Sequence, residues 1–224
     1  MGTVGPEKPC FEAILIGGSA GGFKALKQIL PAFVSDRMPG VIIAMHRTWD
    51  SDDYLETALD AICPLKVRQV DPGAAIDPGA VFVAPPNYHL LIEDDRTFAL
   101  SIEHPVNYAR PSIDVLFESA AEVFEKRMVG VILTGANNDG SKGLERVKHC
   151  GGMTVVQDPT TAETPSMPSS AIRFVDPDHI LPLHQIGPFL GQLRRDVSGA
   201  APAIRSIDHG IGIIQPISGE NSDG

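Results

Sequence analysis

The chain has 224 residues, room for one substantial domain, with the 43% hydrophobic and 21% charged content of a soluble globular protein. A formal net charge of −10 argues against a general nucleic-acid binder, which needs a basic footprint. Three scattered cysteines, Cys10, Cys63 and Cys150, give neither a disulfide framework nor a paired metal spacing, and no apolar run approaches the roughly 20 residues of a membrane helix, so a cytoplasmic protein is expected.

Residues 1–10 read as a loose leader and 11–197 as the folded domain, with a poorly ordered tail over 198–224. Within the tail, the apolar stretch Gly210-Ile211-Gly212-Ile213-Ile214 is a segment that could pack on the domain or a partner. Residues 11–16 form a first buried strand. A helix over 23–34 follows, with Phe23, Leu26, Ile29, Leu30 and Phe33 on one face. A second strand covers 41–45 and ends at His46; a helix is expected over 54–62 and a third strand over 65–70. Asp71-Pro72-Gly73 and Asp77-Pro78-Gly79 mark turns before a short strand at 80–84.

Residues 89–93 and 97–102 flank Asp94-Asp95-Arg96 as an antiparallel hairpin. A helix is expected over 111–126, with Pro111 in its first turn, then an apolar strand over 128–134. A helix over 141–149 and a strand over 153–157 come next. A short helix over 168–174, an extended segment over 179–183 and a last helix over 186–195 complete the domain. Strands of uninterrupted β-branched residues alternating with helices are the signature of a doubly wound, mostly parallel α/β sheet covered on both faces.

Chemistry collects at the strand ends. Gly17-Gly18-Ser19-Ala20-Gly21-Gly22 joins the first strand to the first helix, and its glycines permit a tight elbow that leaves Ser19 exposed. From the residues alone it is a nucleophile elbow or a glycine-rich anion cradle at a helix N-terminus. Ser19 as a helix cap, His46 as a surface histidine and Asp139 as the N-cap of the helix over 141–149 are the plainer readings of each residue. In open α/β sheets ligands sit beyond the carboxyl ends of the strands, where Ser19, His46 and Asp139 all fall. Together they are the set needed for nucleophilic acyl transfer, in which imidazole takes the serine proton and the carboxylate fixes its tautomer. The remaining histidines show no metal-ligand spacing, so no metal is expected from the residues.

The elbow, Met45-His46, Ala84-Pro85-Pro86-Asn87-Tyr88-His89, Arg110-Pro111-Ser112-Ile113-Asp114-Val115-Leu116-Phe117, Val131-Ile132-Leu133-Thr134-Gly135 through Asn138-Asp139-Gly140, and Met167-Pro168 resemble the chemotaxis receptor methylesterases, the protein-glutamate methylesterases. The resemblance runs in order from about Ile14 to Leu193. It implies a serine hydrolase that demethylates glutamate γ-methyl esters on chemoreceptors, releasing methanol, and that also deamidates certain receptor glutamines. It makes Ser19 the nucleophile, His46 the general base and then acid, and Asp139 the orienting carboxylate, and it implies no metal or organic cofactor.

Two departures bear on the oxyanion side. Ala20 stands where the family has threonine, and Ala136-Asn137 stands where it has a Met-Gly pair. The backbone N–H groups of Ala20 and Ala136 are the oxyanion candidates, since a backbone donor survives a side-chain change; glycine at 137 would allow a φ that asparagine adopts less readily. Arg110 is a candidate for docking an acidic receptor segment. The family's usual N-terminal receiver domain does not fit in the leader, so a separate response regulator or sensory-complex partner is expected, alongside a methylated receptor and without membrane insertion. The rival readings are a weakly active or non-catalytic relative acting as a binding module in a chemosensory-type pathway, and a phosphate-binding α/β protein.

Overall fold

The computed structural model describes residues 10–46 and 54–194. Most of the expected leader and tail, including the 210–214 stretch, lies outside the described residues.

Strand β1 (Ala13–Gly18) forms the middle of a seven-stranded parallel sheet. It is flanked by β2 (Gly40–Met45) on one side and β7 (Met128–Ile132) on the other. Beyond β2 come β4 (Ala80–Val83) and β3 (Lys66–Gln69); beyond β7 come β8 (Met153–Gln157) and β9 (His179–Leu181). The hairpin β5 (His89–Ile92) and β6 (Phe98–Ser101) is a separate antiparallel pair, in the place expected for it.

The continuous apolar runs follow from burial on both faces. Along β1, Ala13 and Leu15 join one core while Ile14 and Ile16 join the other; Ile42 and Ala44 against Val41, Ile43 and Met45 divide β2 in the same way. The first core is closed by α3 (Ile113–Phe124), α4 (Ser141–His149), α5 (Ser166–Phe174) and the hairpin, through Leu116, Phe117, Leu144, Met167 and Phe98. The second is closed by α1 (Gly22–Ile29), α2 (Tyr54–Asp60) and α6 (Leu183–Gly191), through Leu26, Ile29, Leu59, Ile186 and Leu190.

Some boundaries move for local reasons. The first helix becomes a 3-10 turn at Leu30–Ala32, because Pro31 has no N–H to continue the α ladder. Pro111 precedes the third helix rather than opening it: Ser112 is the N-cap and its Oγ accepts from the Val115 N–H. The last helix starts three residues early, directly after Pro182, and ends at Gly191.

The order of connections decides where a site can form. From β1 the chain crosses to β2, goes out to the edge strand β3 and comes back to β4 between them; it then returns past the hairpin and α3 to β7 on the opposite side of β1. One crossover leaves β1 for β2 on one side and a later one arrives at β7 on the other, which opens a crevice at the carboxyl end of β1, the topological switch point of such sheets.

Candidate active site

The register of the three central strands carries their ends to one edge. Gly17 pairs with Ala44 of β2 and with Ile132 of β7. Beyond the ladder, the His46 N–H donates to the Gly18 carbonyl at 3.2 Å and the Ser19 N–H to the Thr134 carbonyl at 3.0 Å. Ser19 therefore leaves β1 tethered to the β7 end, with His46 held one strand away.

The elbow is tight because its glycines allow it. Gly21 has φ +80°, a left-handed conformation, and a Cβ there would come within 2.8 Å of Glu163 Cβ. Gly21 is also the N-cap of α1 and makes no side-chain cap, so Ser19 is not a helix cap. Thr134 pins the turn from below: its Oγ1 lies 2.9 Å from the Ala20 carbonyl and accepts the Thr164 N–H at 2.8 Å. Two N–H groups that an anion cradle would present, those of Ser19 and Gly22, are spent within the fold, on Thr134 and on the Ser19 carbonyl.

The structure brings Ser19, His46 and Asp139 together. His46 Nδ1 lies 3.1 Å from Ser19 Oγ, and Nε2 lies 2.8 Å from Asp139 Oδ2. An ionised carboxylate only accepts, so Nε2 carries a proton and, in the neutral ring, Nδ1 presents its lone pair to the Ser19 hydroxyl. The His46 side chain is 14% exposed and that of Asp139 is fully buried. The imidazole is thus reachable from solvent while its carboxylate partner is not.

Asp139 is not the N-cap of α4. That position belongs to Gly140 at φ 90°, and the Asp139 carboxylate reaches instead to the start of α3. Its Oδ2 accepts the Ile113 N–H at 2.7 Å, and its Oδ1 accepts from Ser112 Oγ at 2.8 Å, Asn107 Nδ2 at 3.1 Å and the Asp114 N–H at 3.2 Å. Burial pushes its carboxyl up, but the hydrogen bonds from His46, Ile113 and Asn107 outweigh that and hold it below the ordinary carboxylate range. The helix N-terminus contributes oriented N–H groups to the same end.

These supporting residues were not legible beforehand. Ser112, Ile113 and Asn107 lie more than 25 positions before Asp139, and no short spacing links them to it. Behind them, the Ser112 N–H donates to His89 Nδ1 at 3.2 Å, which makes Nε2 the protonated nitrogen that donates to the His104 carbonyl at 3.1 Å. Asp114 accepts the Gly143 N–H at 2.8 Å and Asn107 Nδ2 at 2.8 Å. Its burial, set against the Gly143 bond and joined by repulsion from Asp139, pushes it up to about 6.

Arg110 turns to the segment just after the hairpin: Nη1 donates to the Ile102 carbonyl at 2.8 Å and the Glu103 carbonyl at 3.0 Å. Ala20 and Ala136 are both exposed, on the two loops that flank Ser19. Neither residue's N–H is engaged by the hydrogen bonds that shape those loops. Asn137 does not adopt a positive φ, so asparagine in place of glycine carries no left-handed strain. Its Oδ1 accepts the Asp139 N–H at 3.2 Å and helps set that residue's approach. Among the described residues, no three His, Cys, Asp or Glu side chains gather as a metal site, and no helix is long and apolar enough to cross a membrane.

Residues 14–190 match the family model described as CheB methylesterase. The chain belongs to the CheB methylesterase family. It is 49% identical over 176 residues to a putative protein-glutamate methylesterase/protein-glutamine glutaminase of Leptospira interrogans, spanning 79% of this chain and 91% of that one. It is 37% identical to the corresponding protein of Symbiobacterium thermophilum over 77% of this chain and 48% of the relative, so it spans about half of that longer protein. The Thermotoga maritima CheB methylesterase catalytic domain superposes with a TM-score of 0.77 at 30% identity, covering 81% of this chain and 97% of that domain. CheB methylesterases are carboxylic ester hydrolases, and the parallel sheet with its detached hairpin is their fold.

Proposed function

We propose that this CheB methylesterase hydrolyses glutamate γ-methyl esters on a chemoreceptor-type protein through Ser19, His46 and Asp139. The observation that carries the reading is the Ser19–His46–Asp139 chain, 3.1 Å and 2.8 Å at its two steps, standing at the switch point of the sheet.

In the first half-reaction Ser19 Oγ attacks the γ-carbonyl carbon as His46 Nδ1 takes the hydroxyl proton. The carbonyl becomes a tetrahedral oxyanion beside the Ala20 and Ala136 N–H groups. Collapse breaks the bond to the methoxy oxygen, the imidazolium protonates it, and methanol leaves with the glutamyl group esterified to Ser19. Water then attacks that ester with His46 again as base, freeing the carboxylate and restoring Ser19. Asp139 keeps the Nε2 proton in place and stabilises the imidazolium. The same steps with an amide would release ammonia, so receptor glutamine deamidation falls within reach of the site.

No step requires a metal or organic cofactor. A cytoplasmic setting suits a substrate on the inner helices of a receptor, and control by a separate response regulator or sensory-complex partner completes the reading. Arg110, whose Nη1 is held by the Ile102 and Glu103 carbonyls, remains the candidate for docking an acidic receptor segment. Methanol release from a methylated receptor, measured with wild-type protein, Ser19→Ala and His46→Ala, tests the reading. Both substitutions are expected to remove activity down to the uncatalysed background of the site, and full activity in Ser19→Ala would overturn it.

A further inference from the structure

Two carboxylates share the interior beside His46. Asp139 is fully buried and Asp114 is 3% exposed, so their mutual repulsion is poorly screened. Each needs donors, and a cation placed between them would compete with His46 for Asp139. The group found there is the side-chain amide of Asn107, whose Nδ2 lies 2.8 Å from Asp114 Oδ2 and 3.1 Å from Asp139 Oδ1. A primary amide nitrogen carries two hydrogens and no formal charge, so it can donate once to each carboxylate. The opposite orientation would set the amide oxygen against two anions, so the surroundings dictate the orientation.

The backbone holds Asn107 at this point. Val106 and Ala109 exchange N–H···O bonds of 3.1 and 2.9 Å, closing a two-residue turn in which Asn107 has φ 51° and Tyr108 φ 63°. Both central residues at positive φ is the arrangement that favours asparagine at the first of them. The far end of the bridge is anchored as well, because Asp114 Oδ1 takes the Gly143 N–H of α4 at 2.8 Å.

We propose that Asn107 is a positioning residue of the hydrolytic site: its amide bridges Asp139 and Asp114 and fixes the face that Asp139 turns to His46. This rests on the catalytic reading of Ser19, His46 and Asp139. Asn107 acts only through Asp139, so its loss lowers kcat and leaves KM unchanged. Besides His46 and the two aspartates, Glu118 acts on Asp114 through its charge, and His89 stands behind Ser112.

The decisive variant is Asn107→Gly, which removes the amide while suiting the positive φ, so the turn is kept. A hydrogen bond to a charged group is worth roughly 10- to 100-fold, and kcat for methanol release is expected to fall by about that factor with KM within about twofold. Asn107→Asp keeps the shape but replaces the donor with a third anion. Its kcat relative to wild type is expected to be lowest above neutrality and to recover as pH falls, when a protonated carboxyl again supplies a donor. The imidazole N–H proton resonance of His46 is the third readout, expected to move or broaden in Asn107→Gly.

An unchanged kcat in Asn107→Gly, a loss confined to KM, or a pH-independent ratio for Asn107→Asp would each overturn the assignment. If the wild-type protein releases no more methanol than Ser19→Ala, the catalytic reading fails instead. The resonance still reports on Asn107 in that case: unmoved, it overturns the positioning role independently.

Discussion

Replacing Asp139 by asparagine changes one oxygen to an NH2 group and tests the site's central geometric claim. On the Oδ1 side three donors converge, from Ser112, Asp114 and Asn107; on the Oδ2 side stand Ile113 and His46. The new amide oxygen must stay with the three donors, because turning the NH2 towards them would oppose donor to donor three times. The NH2 therefore takes the Oδ2 position. There it faces the Ile113 N–H, leaving a buried donor orphaned, and it donates to His46 Nε2.

Nε2 must then give up its proton, the ring carries it on Nδ1, and the lone pair that should receive the Ser19 proton is gone. A wrong-tautomer histidine of this kind costs about 10⁴-fold in kcat, or about 5.4 kcal/mol of transition-state stabilisation. The orphaned Ile113 N–H adds about 1–3 kcal/mol of lost stability, at about 2–4 °C of Tm per kcal/mol for a domain of this size. Methanol release and thermal unfolding of Asp139→Asn read the two effects separately. Activity within tenfold of wild type would refute the tautomer argument, and an unchanged Tm would refute the placement of the amide against Ile113.

Two further perturbations probe the frame around the site. Asp114 ionises with difficulty in the fold, at about 6 against 3.8 in the open chain. Because the folded value is the higher, the protein gains from this group below about 3.8 and loses about 3 kcal/mol as pH rises through about 6. Denaturant unfolding across pH 3.5–7 should show that slope in wild type and its flattening in Asp114→Asn; an equal slope in both would refute the assignment. Thr134→Val keeps volume but removes the hydroxyl that accepts the Thr164 N–H and meets the Ala20 carbonyl. It should cost about 1–3 kcal/mol in denaturant unfolding and lower kcat through a looser serine turn, and an unchanged unfolding midpoint would contradict the pin.

The sequence by itself determined the alternation of strands and helices, because a strand buried on both faces must be apolar without interruption. The runs 41–45 and 128–133 are that pattern in its plainest form. It also put Ser19, His46 and Asp139 at strand ends, since the glycine elbow and the polar residues that close each apolar run are local signals. Three of the boundaries that shifted lie at prolines: Pro31 lacks the N–H that would continue the first helix, while Pro111 and Pro182 stand just ahead of α3 and α6.

Only the tertiary structure decided the partners of Asp139. Alone, an aspartate before Gly140-Ser141 is a helix cap; in the fold its carboxylate serves the N-terminus of α3, 26 residues earlier in the chain. That choice follows from β7 lying beside β1 and from α3 crossing the same face, which are consequences of long-range packing. Asn107 was silent for the same reason. Its role comes from a turn that places one amide between two buried charges, and nothing in the spacing of 107, 114 and 139 encodes that meeting. The serine elbow is written in consecutive residues because a turn is a local object; the environment that orients the histidine's carboxylate is assembled from three distant stretches, at 46, 107–114 and 137–139.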